Sequence, residues 1–200
     1  MTRLQEALME ADRQTQREGY VWQTLRQIAS RLDELGIAYA VVGGIALQHY
    51  GLQRSTQDVA LLVGSLADLD RIHSELGGRG YFRKSEESRH LRDEVTRIRV
   101  EFLVSGEYPG DGRPKPVQFP LPQRVAQSSS EGLRFVNLAT LIELKLANAK
   151  SAAHRIKDRA DVLELIHLLK LPTDFADRLD SYVRQEFLEL AALPPPSEPD

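Results

Sequence analysis

The chain reads as an α/β (α+β) fold, a mixed sheet of about four or five strands flanked by helices and followed by a C-terminal helical bundle. Three observations carry this. Short, β-branched apolar runs alternate with stretches of helical periodicity between residues 21 and 104. A diglycine, Gly43-Gly44, stands between the first strand and the next helix. From Asn137 onward the strand patterns stop and only helical spacing remains.

Taken in order, Val21, Leu25, Ile28, Leu32 and Leu35 recur at helical spacing, and Gly36 stops that helix. Ile37 to Val42 is a short apolar run and reads as a buried strand. The diglycine and a short helix, Ile45 to Tyr50, follow it. Gln57 to Val63 is a second strand. Ser65 is placed to cap a helix over Leu66 to Leu76, which Gly77-Gly78 ends. Tyr81 to Lys84 fits a short strand, and the charged segment Ser85 to Asp93 a solvated turn. Thr96 to Val104 alternates, with Ile98, Val100 and Phe102 on one face. Gly106 to Pro122 holds five prolines and three glycines and is expected to form a long loop. Leu133 to Val136 reads as an edge strand. Asn137 is placed to cap a helix to about Ala149, a second helix is expected from about Ala153 to Leu169, and a third from Pro172-Thr173 to about Ala192. The expected organisation is an αβ core with N-terminal helices over residues 1–136, a helical region over 137–192 and a disordered tail over 193–200.

Composition narrows the function classes. The 200-residue chain has a net charge of -3, which argues against a domain dominated by a nucleic-acid-binding surface but leaves room for a local basic patch. There is no cysteine, which removes disulfides, thiolate metal sites and cysteine nucleophiles. The five histidines show no metal-binding spacing. No apolar run approaches the roughly 20 residues a membrane span needs. The segment Met1 to Arg17 lacks the apolar core of a signal peptide, so a cytoplasmic protein with no membrane partner is expected.

One constellation carries chemistry. Gly43-Gly44 opens a helix, where backbone N–H groups can approach phosphate. Arg54, Thr56 and Asp58 lead into one strand and Glu101 lies in a later one. Carboxylates on neighbouring strands suit a hard divalent cation such as Mg2+. Two such ions about 3.5–4 Å apart can activate an attacking oxygen and stabilise a leaving pyrophosphate. Lys145 stands in an otherwise apolar helix, LIELKLA, an unusual place for an ammonium group. Arg113 and Lys115 lie in the Pro-rich loop, where a rigid surface role is the expectation.

The run VVGGIALQHYGLQRSTQDVALLV resembles the first motif of the polymerase-β-like nucleotidyltransferase superfamily: a strand, Gly-Gly or Gly-Ser, about a dozen residues, then Asp-x-Asp. Glu101, in RIRVEFLVSG, matches that family's third carboxylate. The segment LATLIELKLANAKSAAHRIKDRADVLELI resembles the helical signature of AbiEii-like, toxin-type nucleotidyltransferases. The resemblance implies a nucleotidyltransferase-type fold and transfer of a nucleotide from an NTP to an acceptor, with an RNA such as a tRNA 3′ end as that acceptor. It implies that Asp58 and Glu101 hold Mg2+, and that Gly43, Gly44, Arg54, Thr56, Lys145, Arg155 and Lys157 bind the nucleotide. Asp158 or Asp161 would orient those cations or help activate the acceptor hydroxyl.

The chain departs from the motif at one position. The second carboxylate, two residues after Asp58, is replaced by Ala60. Loss of that ligand weakens metal binding and costs rate, because positioning and charge neutralisation supply most of the catalysis in phosphoryl transfer. The alternative reading is a catalytically inactive, nucleotidyltransferase-like binding protein, for example an antitoxin-type partner paired with a cognate toxin. A third reading transfers the nucleotide to a small molecule such as an aminoglycoside, or to a protein hydroxyl.

Overall fold

The computed structural model describes residue 9, residues 18–151 and residues 155–195. Most of the N-terminal segment and the last five residues of the expected tail lie outside the described residues. The chain runs α1 (Tyr20–Glu34), β1 (Tyr39–Val42), α2 (Gly43–His49), β2 (Asp58–Val63), α3 (Leu66–Leu76), β3 (Tyr81–Phe82), β4 (Leu91–Asp93) and β5 (Arg99–Val104). After the Pro-rich loop come α4 (Pro122–Val125), β6 (Ala126–Ser128), β7 (Arg134–Val136), α5 (Leu138–Ser151) and α6 (Ile156–Leu169). A 3-10 turn, Thr173–Arg178, and α7 (Ser181–Ala191) complete it.

The seven strands form one mixed sheet in the order β3-β4-β5-β2-β1-β7-β6. β1 and β2 are antiparallel, while β2–β5 and β1–β7 are parallel. Every residue of central β1 is buried. This explains the unbroken apolar run: a strand covered on both faces needs no alternation. The expected count of four or five strands was low. β4 hides in a charged segment, and β6, with sequence AQS, has no apolar signal. β6 also covers β7, so the strand expected at the sheet edge lies one place inside it.

Local chemistry sets the element ends. In α1, Val21, Leu25, Ile28 and Leu32 are buried as their spacing requires, and Trp22 Nε1 donates to Gln48 Oε1 at 2.8 Å, tying α1 to α2. Ser65 Oγ accepts from Asp68 N at 3.1 Å, Asn137 Oδ1 accepts from Thr140 N at 2.9 Å and Asp180 Oδ1 accepts from Tyr182 N at 2.8 Å, so each caps a helix start. β5 begins at Arg99 rather than Thr96, because the preceding residues make the β4–β5 turn. There Asp93 Oδ1 accepts from both Val95 N and Thr96 N at 2.8 Å, and Arg97 has a φ of 63°. The short helix after the diglycine starts at Gly43 itself. α6 starts at Ile156, and residues 152–154 ahead of it lie outside the described residues. The third C-terminal helix is shorter than expected, since extended Leu179 separates the 3-10 turn from α7.

α5, α6 and α7 pack on one another, and their apolar faces join the same core as the sheet. No helix among the described residues is long and apolar enough to cross a membrane.

Candidate functional site

A cleft of about 710 Å3 opens between the site end of the sheet, the Pro-rich loop and helices α5 and α6. Gly43, Ala60 and Glu101 form its sheet side, and Lys145, Asn148, Arg155 and Asp158 its helical side. Glu107, Tyr108 and Phe119 bring the loop into its wall.

The diglycine packs against β2 and the chain leading into it. Gly43 has a φ of +70°, a conformation glycine adopts without strain. A Cβ on Gly43 would stand 3.4 Å from the Ala60 Cβ, and one on Gly44 would come within 2.7 Å of both Cβ and Oγ1 of Thr56. Thr56 Oγ1 in turn donates to the Asp58 carbonyl at 3.3 Å. Thr56 therefore packs the turn against the strand start.

Register places the acids. β2 and β5 pair so that Asp58 lies opposite Arg99, and Ala60 opposite Glu101. Residues in register point to the same side of a sheet, and so do residues two apart. Asp58, Ala60, Arg99 and Glu101 thus share one face. Arg99 Nη2 donates to Glu101 Oε1 at 2.9 Å. The donor set offered to a divalent ion is therefore two carboxylates, one already bonded to a guanidinium, with a methyl group in place of the shared third ligand. Among the described residues no group of three or more His, Asp or Glu side chains is placed to hold a metal ion. This donor set does not fit the two-metal cup expected at Asp58 and Glu101.

The helical side is a paired cluster. Lys145 is buried, 8% exposed, and its Nζ donates to Asp158 Oδ1 at 2.9 Å and Asp161 Oδ2 at 2.6 Å. Arg54 pairs with the other oxygen of Asp161, and Asn148 Nδ2 donates to the other oxygen of Asp158. Two cations thus face two carboxylates. Burial pulls the Lys145 ammonium below the usual lysine range; Asp158 opposes that shift by charge and hydrogen bond, and Arg54 adds to it. Arg155, at the N-cap of α6, is half-buried and lines the cleft, and no ion pair engages it among the described residues. Lys157 is exposed and does not line the cleft.

The structure thus gathers Gly43, Glu101, Lys145, Arg155 and Asp158 around one cleft. It sets Asp58, Thr56, Gly44, Arg54 and Asp161 immediately behind that group and leaves Lys157 outside. Several participants were missed from sequence. Arg99 shares the face of Glu101 two residues away, a signal that alternation alone could have given. Arg89 and His90 sit in the segment read as a solvated turn, yet both line the cleft. Arg89 forms a two-bond pair with Glu107, at 3.0 and 2.6 Å. The Pro-rich loop is anchored rather than merely superficial. Lys115 Nζ, on a side chain 7% exposed, donates to the Pro109 carbonyl, Asp111 Oδ1 and Ser151 Oγ at 2.6, 2.6 and 2.7 Å. Arg113 points to solvent, its side chain 86% exposed.

No protein-family model and no curated protein matches the sequence. Solved structures do. The aminoglycoside nucleotidyltransferase ANT(2″)-Ia, in a crystal structure with adenylyl-2″-tobramycin, aligns over 85% of this chain and 98% of its own, with a TM-score of 0.51 and 14% identity. The solution structure of the same antibiotic-resistance factor aligns over 84% and 93%, with a TM-score of 0.50 and 16% identity. At these identities the likeness is one of architecture, and by that architecture the chain has a nucleotidyltransferase fold.

Proposed function

We propose that this chain binds a nucleoside triphosphate in the cleft between the sheet and helices α5 and α6, and that binding outlasts catalysis in it. The observation that carries this reading is the Ala60–Glu101 register with Arg99 bonded to Glu101. The phosphate side keeps its glycine turn and the cation Arg155, with Lys145 paired to Asp158 and Asp161 beside it, while the metal side has Ala60 where a carboxylate was expected. A cleft of about 710 Å3 falls within the range of pockets that enclose a small organic ligand.

A second reading keeps the transfer reaction. Glu101 and Asp158 both face the cleft, so carboxylates that could accept a proton from an attacking hydroxyl stand beside the proposed triphosphate. The resemblance of the helical segment to AbiEii-like, toxin-type enzymes supports an RNA 3′ end as acceptor and a toxin–antitoxin partner. The architecture of ANT(2″)-Ia supports a small-molecule hydroxyl instead.

Two measurements separate these readings. Titration with each of the four NTPs should show binding of at least one, and no binding at cellular concentrations would sink both. Labelled NTP should not be incorporated into total RNA or an aminoglycoside by the chain as it stands. Incorporation would establish the second reading, and the labelled product would name the acceptor.

A further inference from the structure

A cation stands directly behind the sheet wall of the cleft: Arg99 does not itself line the cleft, but its Nη2 bonds Glu101, which does. Arg99 stands opposite Asp58 in the β2–β5 register and bonds Glu101, so it lies between the two carboxylates expected to hold metal. Its Nε is enclosed and has no hydrogen-bond partner among the described residues. The side chain is 32% exposed, so part of the guanidinium still reaches solvent. Its charge is felt inside the cleft: His90, which lines the cleft, is held below the usual histidine range by burial first and by Arg99 second, with Glu101 opposing. On the far side β4 pairs Arg92 with Arg99, and Arg92 donates to the Arg97 carbonyl at 3.0 Å. A divalent ion at this corner would have to displace Arg99 from Glu101 and then sit beside a like charge, held by Asp58 and Glu101 with a methyl group at position 60 in place of a third carboxylate.

We propose that Arg99 takes the place of the divalent cation, so that the cleft binds a nucleoside triphosphate without metal. This rests on the nucleotide reading of the cleft. A guanidinium presents a planar fork of N–H donors that matches phosphate as well as carboxylate, so Arg99 can exchange Glu101 for a phosphate oxygen of the ligand. Glu101 then holds the guanidinium in place when no nucleotide is present. The triphosphate charge is met by Arg99 from the sheet side and Arg155 from the helical side. Lys145 stays committed to Asp158 and Asp161 behind them.

The test is calorimetric titration of the whole chain with ATP, GTP, CTP and UTP, once in excess EDTA and once with Mg2+. The NTP that binds should do so with the same affinity in both buffers. Arg99→Ala should weaken it by roughly tenfold or more in both, the size expected from losing a charge-assisted hydrogen bond. Arg99→Lys, which keeps the charge but not the fork, should fall between, and it keeps the test interpretable if the alanine variant fails to fold. Affinity that collapses in EDTA overturns the proposal while leaving nucleotide binding intact. So does an Arg99→Lys variant, or a folded Arg99→Ala variant, that binds like the parent chain. Absence of binding in both buffers overturns the nucleotide reading and this one with it.

Discussion

Lys145 Nζ lies 2.6 Å from Asp161 Oδ2, while Arg54 holds the other oxygen of the same carboxylate. One buried aspartate therefore joins α5, α6 and the segment leading into β2. Asp161→Ala should be the most damaging change in this cluster. It removes the only carboxylate that Arg54 is seen to hold among the described residues and one of the two on Lys145. Breaking a buried pair from one side costs about 3–5 kcal/mol. Lys145→Met should cost less, since Asp161 keeps Arg54 and Asp158 keeps Asn148. Urea unfolding midpoints of the two variants check this order, and equal midpoints would refute the claim that Asp161 is the hub. The same pairing predicts a split in ligand binding. Arg155→Ala should weaken nucleotide affinity more than Lys145→Met, because Arg155 faces the cleft without an ion pair among the described residues.

The cluster also shows what was legible in the sequence. Lys145 stands out as a lysine in an apolar helix, while Asp158 and Asp161 come from the resemblance of the helical segment; the structure pairs all three. Strand alternation likewise gave Glu101 its face. What escaped was set by tertiary register. The sequence separation of Asp58 and Arg99 does not reveal that they sit side by side, because that depends on β5 pairing parallel to β2 with no offset. β4 and β6 escaped because a two-sided polar or very short strand has no hydrophobic signature and forms only where a neighbour offers a free edge. The anchoring of Lys115 escaped for a related reason. Its partners include Ser151, far along the chain, and nothing near it in sequence marks it as buried.

Gly44 is packed against Thr56 closely enough that position 44 does not tolerate a Cβ. Gly44→Ala should destabilise the chain by about 1–3 kcal/mol, the usual cost of overpacking, because the new Cβ would meet Thr56 Cβ and Oγ1 at 2.7 Å. Thr56→Ser should give little relief, since the clash includes Cβ itself. Thr56→Gly in the Gly44→Ala background should restore part of the loss. Thermal melting of the single and double variants measures this. A Gly44→Ala chain that melts with the parent would mean that the turn can shift freely away from β2.

The Pro-rich loop should open when its anchor is cut. Lys115→Met keeps the buried stem but removes the bonds to Pro109, Asp111 and Ser151. Gly110 packs against the same helix end, where a Cβ would come within 2.5 Å of Ser151, so loop and helix are fitted at two points. Limited proteolysis within residues 106–119 should become about tenfold faster in the variant, because local opening there no longer has to break a charge-assisted bond. An unchanged cleavage rate would show that proline stiffness alone holds the loop.

His73 should make the fold sensitive to mild acid. It is half-buried on α3, its ring meets Phe102 edge-on at 6.3 Å, and its Nε2 is enclosed without a hydrogen-bond partner among the described residues. Burial first, and then the charge of Arg83, hold it below the ordinary histidine value of 6.5; a hydrogen bond with the Arg89 backbone and the charge of Asp70 oppose this, and Arg89 adds to the lowering. With the folded-state value depressed, the unfolded chain takes up the proton first as pH falls. Between 6.5 and the lower folded value the unfolded state binds more protons, so stability drops with falling pH in that window and levels off below it. His90 is shifted in the same direction and contributes with the same sign. Urea unfolding at intervals from neutral pH down to mild acid should show this loss in the parent chain. His73→Gln should reduce its slope, and the His73→Gln, His90→Gln double variant should reduce it further. A slope identical in all three chains would assign the acid sensitivity to groups other than these two histidines.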